Sequence, residues 1–282
     1  MKKNANGWGA LLLSGSLAIG LTACTTTSVE LPALSESNTK LTGQVIWRDL
    51  VTHKPAEAQN FYENVFGWHF DQYSDDYATI TYQGDLIGGM ATLPSSNVSS
   101  YWLPVVSTDN LDSSLAKAEG AGGKVLISST ELSGRGHIGV VRDPQGAVFS
   151  LIDTVSGDPE KLPKLSGSWM WQEVWTDSVE SSLVFYEKIA NYKALQRSVK
   201  GNHYLYVTVD DAPAFGIVKK PNSEVASTWV NYIKVDDVDA TLEKVNAFGG
   251  DVLMAPTEEV RGGSVAIVRD PSGAGFVIQE VE

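Results

Sequence analysis

The chain repeats itself, and the repeat limits the folds open to it more than any single motif. Trp47-Arg48-Asp49-Leu50-Val51-Thr52 recurs as Trp171-Gln172-Glu173-Val174-Trp175-Thr176, and Phe61-Tyr62-Glu63 recurs as Phe185-Tyr186-Glu187, both 124 residues on. Trp102 then matches Trp229, Gly122-Gly123 matches Gly249-Gly250, and Val141-Arg142-Asp143-Pro144 matches Val268-Arg269-Asp270-Pro271, all at an offset of 127. Features matched at a fixed long spacing mark duplicated structural units. The 282 residues divide into two copies of one domain, 41–154 and 167–282, and 155–166 (VSGDPEKLPKLS) has the composition of a linker.

Each copy divides again. Ala58, Phe61, Tyr62, Val65 and Phe66 stand at i, i+3, i+4, i+7 and i+8 behind Pro55, which predicts a helix with one buried face. Val45 to Thr52 reads as a strand before it; Trp68 to Tyr73, Tyr77 to Gln83 and Leu86 to Leu93 read as three strands after it. The next stretch repeats the plan: a strand from Tyr101 to Ser107, a helix with Leu111, Leu115 and Ala118 inward, and strands near Lys124, Ile138 and Val148. Asp143-Pro144-Gln145-Gly146 joins the last two as a type I turn. The second copy ends the same way on Asp270-Pro271-Ser272-Gly273, so four βαβββ units are expected.

The N-terminus is of another kind. Two lysines precede a mostly apolar run from Ala10 to Ala23, the layout of an export signal and too short for a comfortable membrane span. Its end, Leu21-Thr22-Ala23-Cys24, resembles the lipobox of bacterial lipoproteins, which implies a signal peptide over 1–23, lipidation of Cys24 and a flexible spacer over 24–40. Thr25 after the cysteine implies, by the same resemblance, sorting to the outer membrane of a bacterial envelope. Without Lys2 and Lys3 the mature chain keeps 19 basic against 34 acidic side chains, so a nucleic-acid backbone would meet repulsion. Cys24 is the one cysteine, which excludes an intramolecular disulfide, a multi-cysteine zinc site and, once lipidated, a cysteine nucleophile.

Two βαβββ units per domain, a Phe-Tyr-Glu on the first helix and an Asp-Pro-x-Gly turn before the last strand resemble the vicinal oxygen chelate superfamily. That superfamily contains glyoxalase I, extradiol dioxygenases and the bleomycin and fosfomycin resistance proteins. The resemblance implies an α+β fold of two domains whose sheets curl around cavities, as a monomer of two pseudo-repeated domains or as a homodimer. Metal-dependent members carry His, Gln or Glu on cavity-facing strands, because a divalent ion needs three or four converging donors. Here the corresponding positions fall on Trp47, Leu103 and Ser150 in the first domain and on Trp171, Val230 and Val277 in the second. No metal and no cofactor is expected. His53, His69, His137 and His203 have no histidine at their repeat partners and read as surface or loop residues; Asp153 and Glu280, beyond the ligand position, read as solvated strand ends.

Strand alternation carries Asp49 inward with Trp47, and Glu173 and Trp175 inward with Trp171. In the opposing strand of domain two, Val230 carries Tyr232 and Lys234. Trp47 and Asp49 in one domain, and Trp171, Glu173, Trp175, Tyr232 and Lys234 in the other, are the candidate binding residues. Indoles and a phenol supply area and stacking for a small organic ligand, while Glu173 and Lys234 fix its orientation. The indoles could instead fill the hollow as core, with Glu173 pairing Lys234. Two other functional readings stand beside metal-free binding: a glyoxalase-like lyase or hydroxylase with Glu173 or Asp49 as general base, and a non-catalytic structural or interaction module.

Overall fold

A computed structural model of the chain describes residues 31–94, 99–199 and 202–281. Cys24 and the signal-like segment lie outside the described residues. The first domain runs β1 (Val45–Thr52), α1 (Pro55–Phe66), β2 (His69–Ser74), β3 (Tyr77–Tyr82), β4 (Asp85–Thr92), then β5 (Tyr101–Ser107), α2 (Leu111–Gly120), β6 (Lys124–Leu132), β7 (Gly136–Arg142) and β8 (Val148–Thr154). The second runs β9 (Trp169–Thr176), α3 (Val179–Ile189), β10 (Lys193–Val199), β11 (Asn202–Val209), β12 (Ala212–Lys219), then β13 (Thr228–Val235), α4 (Val238–Ala247), β14 (Asp251–Met254), β15 (Val265–Arg269) and β16 (Gly275–Glu280). These are the four expected βαβββ units.

Local chemistry sets the boundaries. Helix α1 buries the five residues that the spacing singles out, opens on Pro55, and ends where Gly67 takes the left-handed φ of 75°. Asn110, Ser178 and Asp237 cap α2, α3 and α4 by accepting the backbone N–H three residues on. At the turn into β8, Oδ1 of Asp143 accepts the N–H groups of Gln145, Gly146 and Ala147 at 2.9, 2.7 and 2.9 Å. Asp270 does the same for Ser272, Gly273 and Ala274.

Each domain forms one eight-stranded sheet, ordered β2-β3-β4-β1-β5-β8-β7-β6 and β10-β11-β12-β9-β13-β16-β15-β14. The two units of a domain meet at the centre, where β1 runs antiparallel to β5 and β9 to β13. The sheets are curved without closing. Helices cover one face of each sheet; the other face is free of them.

The helix-covered faces meet. Helix α1 packs on α4 and α2 on α3, and each hydrophobic core draws on both copies. One joins Phe61, Tyr62, Trp68 and Trp102 to Val245 and Phe276; the other joins Leu115 and Phe149 to Phe185, Tyr186, Phe215 and Trp229. Each large side chain so buried contributes about 1.5–3 kcal/mol, so much of each domain's stability depends on its neighbour. At the centre, Arg48 and its repeat counterpart Gln172 face each other, with Nη2 donating to Oε1 at 2.7 Å.

Residues 31–40 are held against the first domain rather than hanging as spacer. Leu31 N donates to Ser133 O and Asn38 N to Ser156 O, both at 3.0 Å. Leu34 is buried on the helix-free face against Trp47, Val105 and Ile152. Leu31, Pro32 and Leu34 are the apolar exceptions in a Ser/Thr-rich stretch, and they anchor it. In the linker, the buried carboxylate of Asp158 accepts from Leu41 N at 2.6 Å and Thr154 Oγ1 at 2.8 Å. Asp153, read as a solvated end, pairs with Lys40 at 2.8 Å, and Glu280 accepts the N–H of Val238 at 3.2 Å, at the start of α4.

Candidate functional site

Alternation along the central strands divides their residues between two environments. Leu50 and Val174 enter the cores under the helices. Trp47 and Asp49, like Trp171, Glu173 and Trp175, lie on the helix-free face, where each domain builds a cluster around one carboxylate.

In the second domain that carboxylate is Glu173, only 1 % exposed. Oε2 accepts the indole N–H of Trp175 at 3.0 Å and the phenol of Tyr232; Oε1 accepts Tyr204 Oη at 2.8 Å and Arg261 Nη2 at 2.7 Å. Trp171 joins through Tyr204, donating to its hydroxyl at 2.6 Å. A buried carboxylate is tolerated when its lone pairs are met by donors and a counter-charge. Arg261 supplies the charge from the rim, where it also donates to Gln279 at 2.7 Å and lies over the rings of Tyr204 and Tyr232. Burial and the Glu173 charge raise both phenols above their ordinary range, so they serve as donors rather than phenolates.

The first domain repeats the plan more tightly. Oδ1 of Asp49 accepts Trp47 Nε1 at 3.0 Å and Tyr77 Oη at 2.9 Å. Buried Arg135 donates to Tyr77 Oη at 2.7 Å and lies about 5 Å over the rings of Trp47 and Tyr77. Burial pushes the Asp49 carboxyl up, against the opposing pull of Arg135 and the two donors. Leu34 covers the cluster, and Trp47 is 2 % exposed while Trp171 stays partly exposed.

Of the candidate residues, Trp47 and Asp49 meet in one cluster, and Trp171, Glu173, Trp175 and Tyr232 in the other. Lys234 does not join them. The register pairs Val230 with Glu173, and Lys234 lies four residues further, about 13 Å along the strand. Arg261 takes the place proposed for it. Arg135, Arg261, Tyr77 and Tyr204 are members that strand alternation from Trp47 does not reach. Their signal lies in the repeat: Tyr77 and Tyr204 stand 127 apart, and Arg135-Gly136 returns as Arg261-Gly262 at 126.

The superfamily's metal does not fit these residues. Trp47, Leu103, Trp171, Val230 and Val277 offer no ligand atom at the metal positions, and Ser150 offers one buried hydroxyl. The two carboxylates already accept from indoles, phenols and, at Glu173, a guanidinium. Among the described residues no three His, Cys, Asp or Glu side chains converge. His69 and His137 are exposed and His53 partly so.

Comparison with known proteins agrees with the fold and singles out the second domain. Residues 171–278 match the family model of the Glyoxalase/Bleomycin resistance protein/Dioxygenase superfamily. A Mycobacterium bovis protein provisionally named glyoxylase CFP32 is 28 % identical over 241 residues, 82 % of this chain and 92 % of that protein. The anthracycline biosynthesis protein DnrV of Streptomyces peucetius is 26 % identical over 258 residues, 85 % and 94 % of the two chains. Among solved structures, the 2,3-dioxygenase LapB of Pseudomonas superposes with a TM-score of 0.58 at 12 % identity, covering 87 % of this chain and 94 % of LapB. The Mn(II)-bound glyoxalase of Novosphingobium aromaticivorans gives 0.57 at 14 %, covering 85 % and 81 %. The second domain thus matches the glyoxalase, bleomycin resistance and dioxygenase superfamily in sequence, and the chain as a whole carries that superfamily's tandem βαβββ fold.

Proposed function

We propose that the chain binds a small amphipathic organic molecule on the helix-free face of its second domain, without a divalent metal, while anchored to the bacterial envelope through Cys24. The observation that carries this reading is the contrast between the two clusters. Trp47 is covered by the chain's own Leu34, whereas Trp171 and the Arg261 side chain stay partly exposed beside a fully engaged carboxylate. A ligand stacking on Trp171 finds a guanidinium and the Tyr204 hydroxyl at its edge, the mix of area and a few placed polar groups that organic sites use. The name of DnrV, anthracycline biosynthesis, makes planar phenols and quinones the first compounds to try.

Titration of the purified chain with such compounds, followed by tryptophan fluorescence and thermal shift, tests the proposal. Saturable stabilisation lost in Trp171→Ala and Arg261→Met supports it; a broad library without effect overturns it. For the anchor, labelling with an alkyne fatty acid in a bacterial host is expected to mark the wild type and spare Cys24→Ala.

One observation favours a catalytic second reading. Oδ2 of Asp49 accepts no hydrogen bond among the described residues, and burial raises that carboxyl. A glyoxalase-like lyase or hydroxylase would therefore use Asp49 as general base rather than Glu173, whose two oxygens already accept from four groups. Turnover abolished by Asp49→Asn and retained by Glu173→Gln would establish it.

A further inference from the structure

A cavity lies between the domains under the linker, bordering the second-domain cluster at Trp171. It opens to the surface, holds about 160 Å³ and is lined by Gln44, Arg48, Trp169 and Trp171 with Lys161 and Lys164 of the linker. Its charged lining favours an anion. Arg48 is 8 % exposed, yet its hydrogen bonds go to two neutral acceptors, Asn231 Oδ1 at 3.0 Å and Gln172 Oε1 at 2.7 Å. Among the described residues no carboxylate pairs with it. Burial pulls its pKa down to about 9, which leaves it cationic at neutral pH. A buried charge without a counter-charge is costly. Gln44, 6 % exposed and lining the same cavity, holds Nε2 buried with no acceptor among the described residues.

The surroundings add direction and shape. Partial burial and the nearby Lys164 both lower Lys161, a strain that an anion between the two ammonium groups would relieve. Glu160 is the acid among the lining residues, against three cations, in a chain whose net charge is -13. Trp169, packed on Trp68 and Trp102, lies under the Arg48 guanidinium at 5.1 Å and backs it, while Trp171, with Lys164 5.9 Å from its ring, gives the cavity an aromatic wall. A volume of about 150 Å³ is enough to hold benzene.

We infer that this interdomain cavity binds a small aromatic carboxylate of benzoate size, its ring against Trp171 and its carboxylate on Arg48 and Gln44. The site adjoins the organic-ligand site proposed for the second domain and shares Trp171 with it; its charged groups, Arg48, Lys161 and Lys164, are its own, and Arg261 belongs to the other.

Calorimetric titration of the full chain with sodium benzoate, and with neutral benzamide as its isostere, tests it. Benzoate is expected to bind one to one with a Kd below about 1 mM, and benzamide at least about tenfold more weakly, since charge-assisted contacts are roughly twice as strong as neutral ones. Arg48→Met is expected to lose about tenfold or more, Lys161→Gln with Lys164→Gln a few-fold, and Arg261→Met nothing. Equal binding of benzamide, or no saturation with benzoate, overturns the inference. So does benzoate binding lost in Arg261→Met, which would move the ligand to the second-domain cluster. Should Arg48→Met fail to fold, the double lysine variant decides, and wild-type affinity there overturns the site.

Discussion

Tyr186 of the second domain donates its phenol proton to Oδ2 of Asp143 in the first domain, at 3.0 Å in a buried setting. Tyr186 belongs to the repeated Phe-Tyr-Glu and Asp143 to the repeated Asp-Pro turn, while the repeated Trp229 donates to the same phenol oxygen at 3.1 Å. Residues that mark the duplication in the sequence therefore fasten the copies together. The mirror-image contact is looser. Trp102 donates to Tyr62 at 2.7 Å, and the Tyr62 hydroxyl feels the charge and a hydrogen-bonding pull of Asp270, but among the described residues Oδ2 of Asp270 has no partner at full hydrogen-bond geometry.

That difference predicts unequal costs. Tyr186→Phe removes a hydrogen bond to a buried acid and is expected to cost about 1.5–3 kcal/mol. Tyr62→Phe, which gives up only a looser contact with Asp270, should cost less. Urea unfolding of both variants beside the wild type reads the two values, and equal losses would mean that the Tyr186 bond contributes nothing of its own.

The acidic pH range offers a second check. Burial raises the carboxyls of Asp49, Asp143 and Asp270 above their ordinary range. A raised acid favours the folded state most below its unfolded pKa, and loses that advantage as pH rises through its folded pKa. Each of the three thus contributes stability that falls as pH rises from about 4 toward neutrality. Thermal midpoints are expected to be higher at pH 5 than at pH 7.5, and Asp49→Asn should shrink the gap. A gap unchanged in that variant would remove Asp49 from the cause.

Glu173 and Arg261 should couple. Breaking a buried pair leaves a bare charge, which costs 3–5 kcal/mol when both partners are enclosed. Arg261 is more than one-third exposed, and solvent screens what it offers. A double-mutant cycle of Glu173→Gln and Arg261→Met is expected to give about 1–2 kcal/mol of coupling. Replacing Arg261 in the cycle by Lys234→Met should give close to none.

Glycine at position 216 lets this cluster assemble. A Cβ there would stand 2.1 Å from the Tyr204 hydroxyl, and one at Gly89 would stand 2.0 Å from that of Tyr77. Gly216→Ala is therefore expected to expel Tyr204 from Glu173 and to weaken ligand binding in the second domain, with the fold retained. Proton NMR would follow the Tyr204 ring, and an undisturbed ring would show that the strand can yield instead.

The fold was legible in the sequence because its signals are local and occur twice. The helical spacing from Ala58 to Phe66 and the two Asp-Pro turns need no distant partner to be read. The central half of each carboxylate cluster was legible too, since alternation from Trp47 or Trp171 carries the acid with it. Arg135 and Arg261 were not, because they sit near the β6–β7 and β14–β15 turns, and only the curvature of the sheet brings those turns over β1 and β9. Lys234 misled for the complementary reason: alternation gives the face of a strand and says nothing of distance along it. Leu34 gives no such signal, because a short apolar run such as 31–34 at the edge of a polar stretch has no period.

Leu34 carries the last prediction. The 31–40 segment is tied to the first domain by backbone and side-chain hydrogen bonds, by the Lys40–Asp153 pair and by this one buried apolar side chain, whereas the domain cores lie on the opposite face of the sheet. Segments with few buried contacts open locally, at a free energy well below that of global unfolding. Leu34→Asp removes the apolar contact and sets a carboxylate beside Trp47, so the segment should detach while the cores stay closed. Amides of residues 31–40 are expected to exchange about tenfold faster or more, the loss of roughly 1.4 kcal/mol or more of local stability. The global urea midpoint should move little. Detachment would also uncover Trp47, and acrylamide quenching, weak for a side chain 2 % exposed, should rise. Exchange and quenching both unchanged would mean that the hydrogen bonds alone hold the segment; a large fall in the global midpoint would mean that it folds as one unit with the sheet it covers.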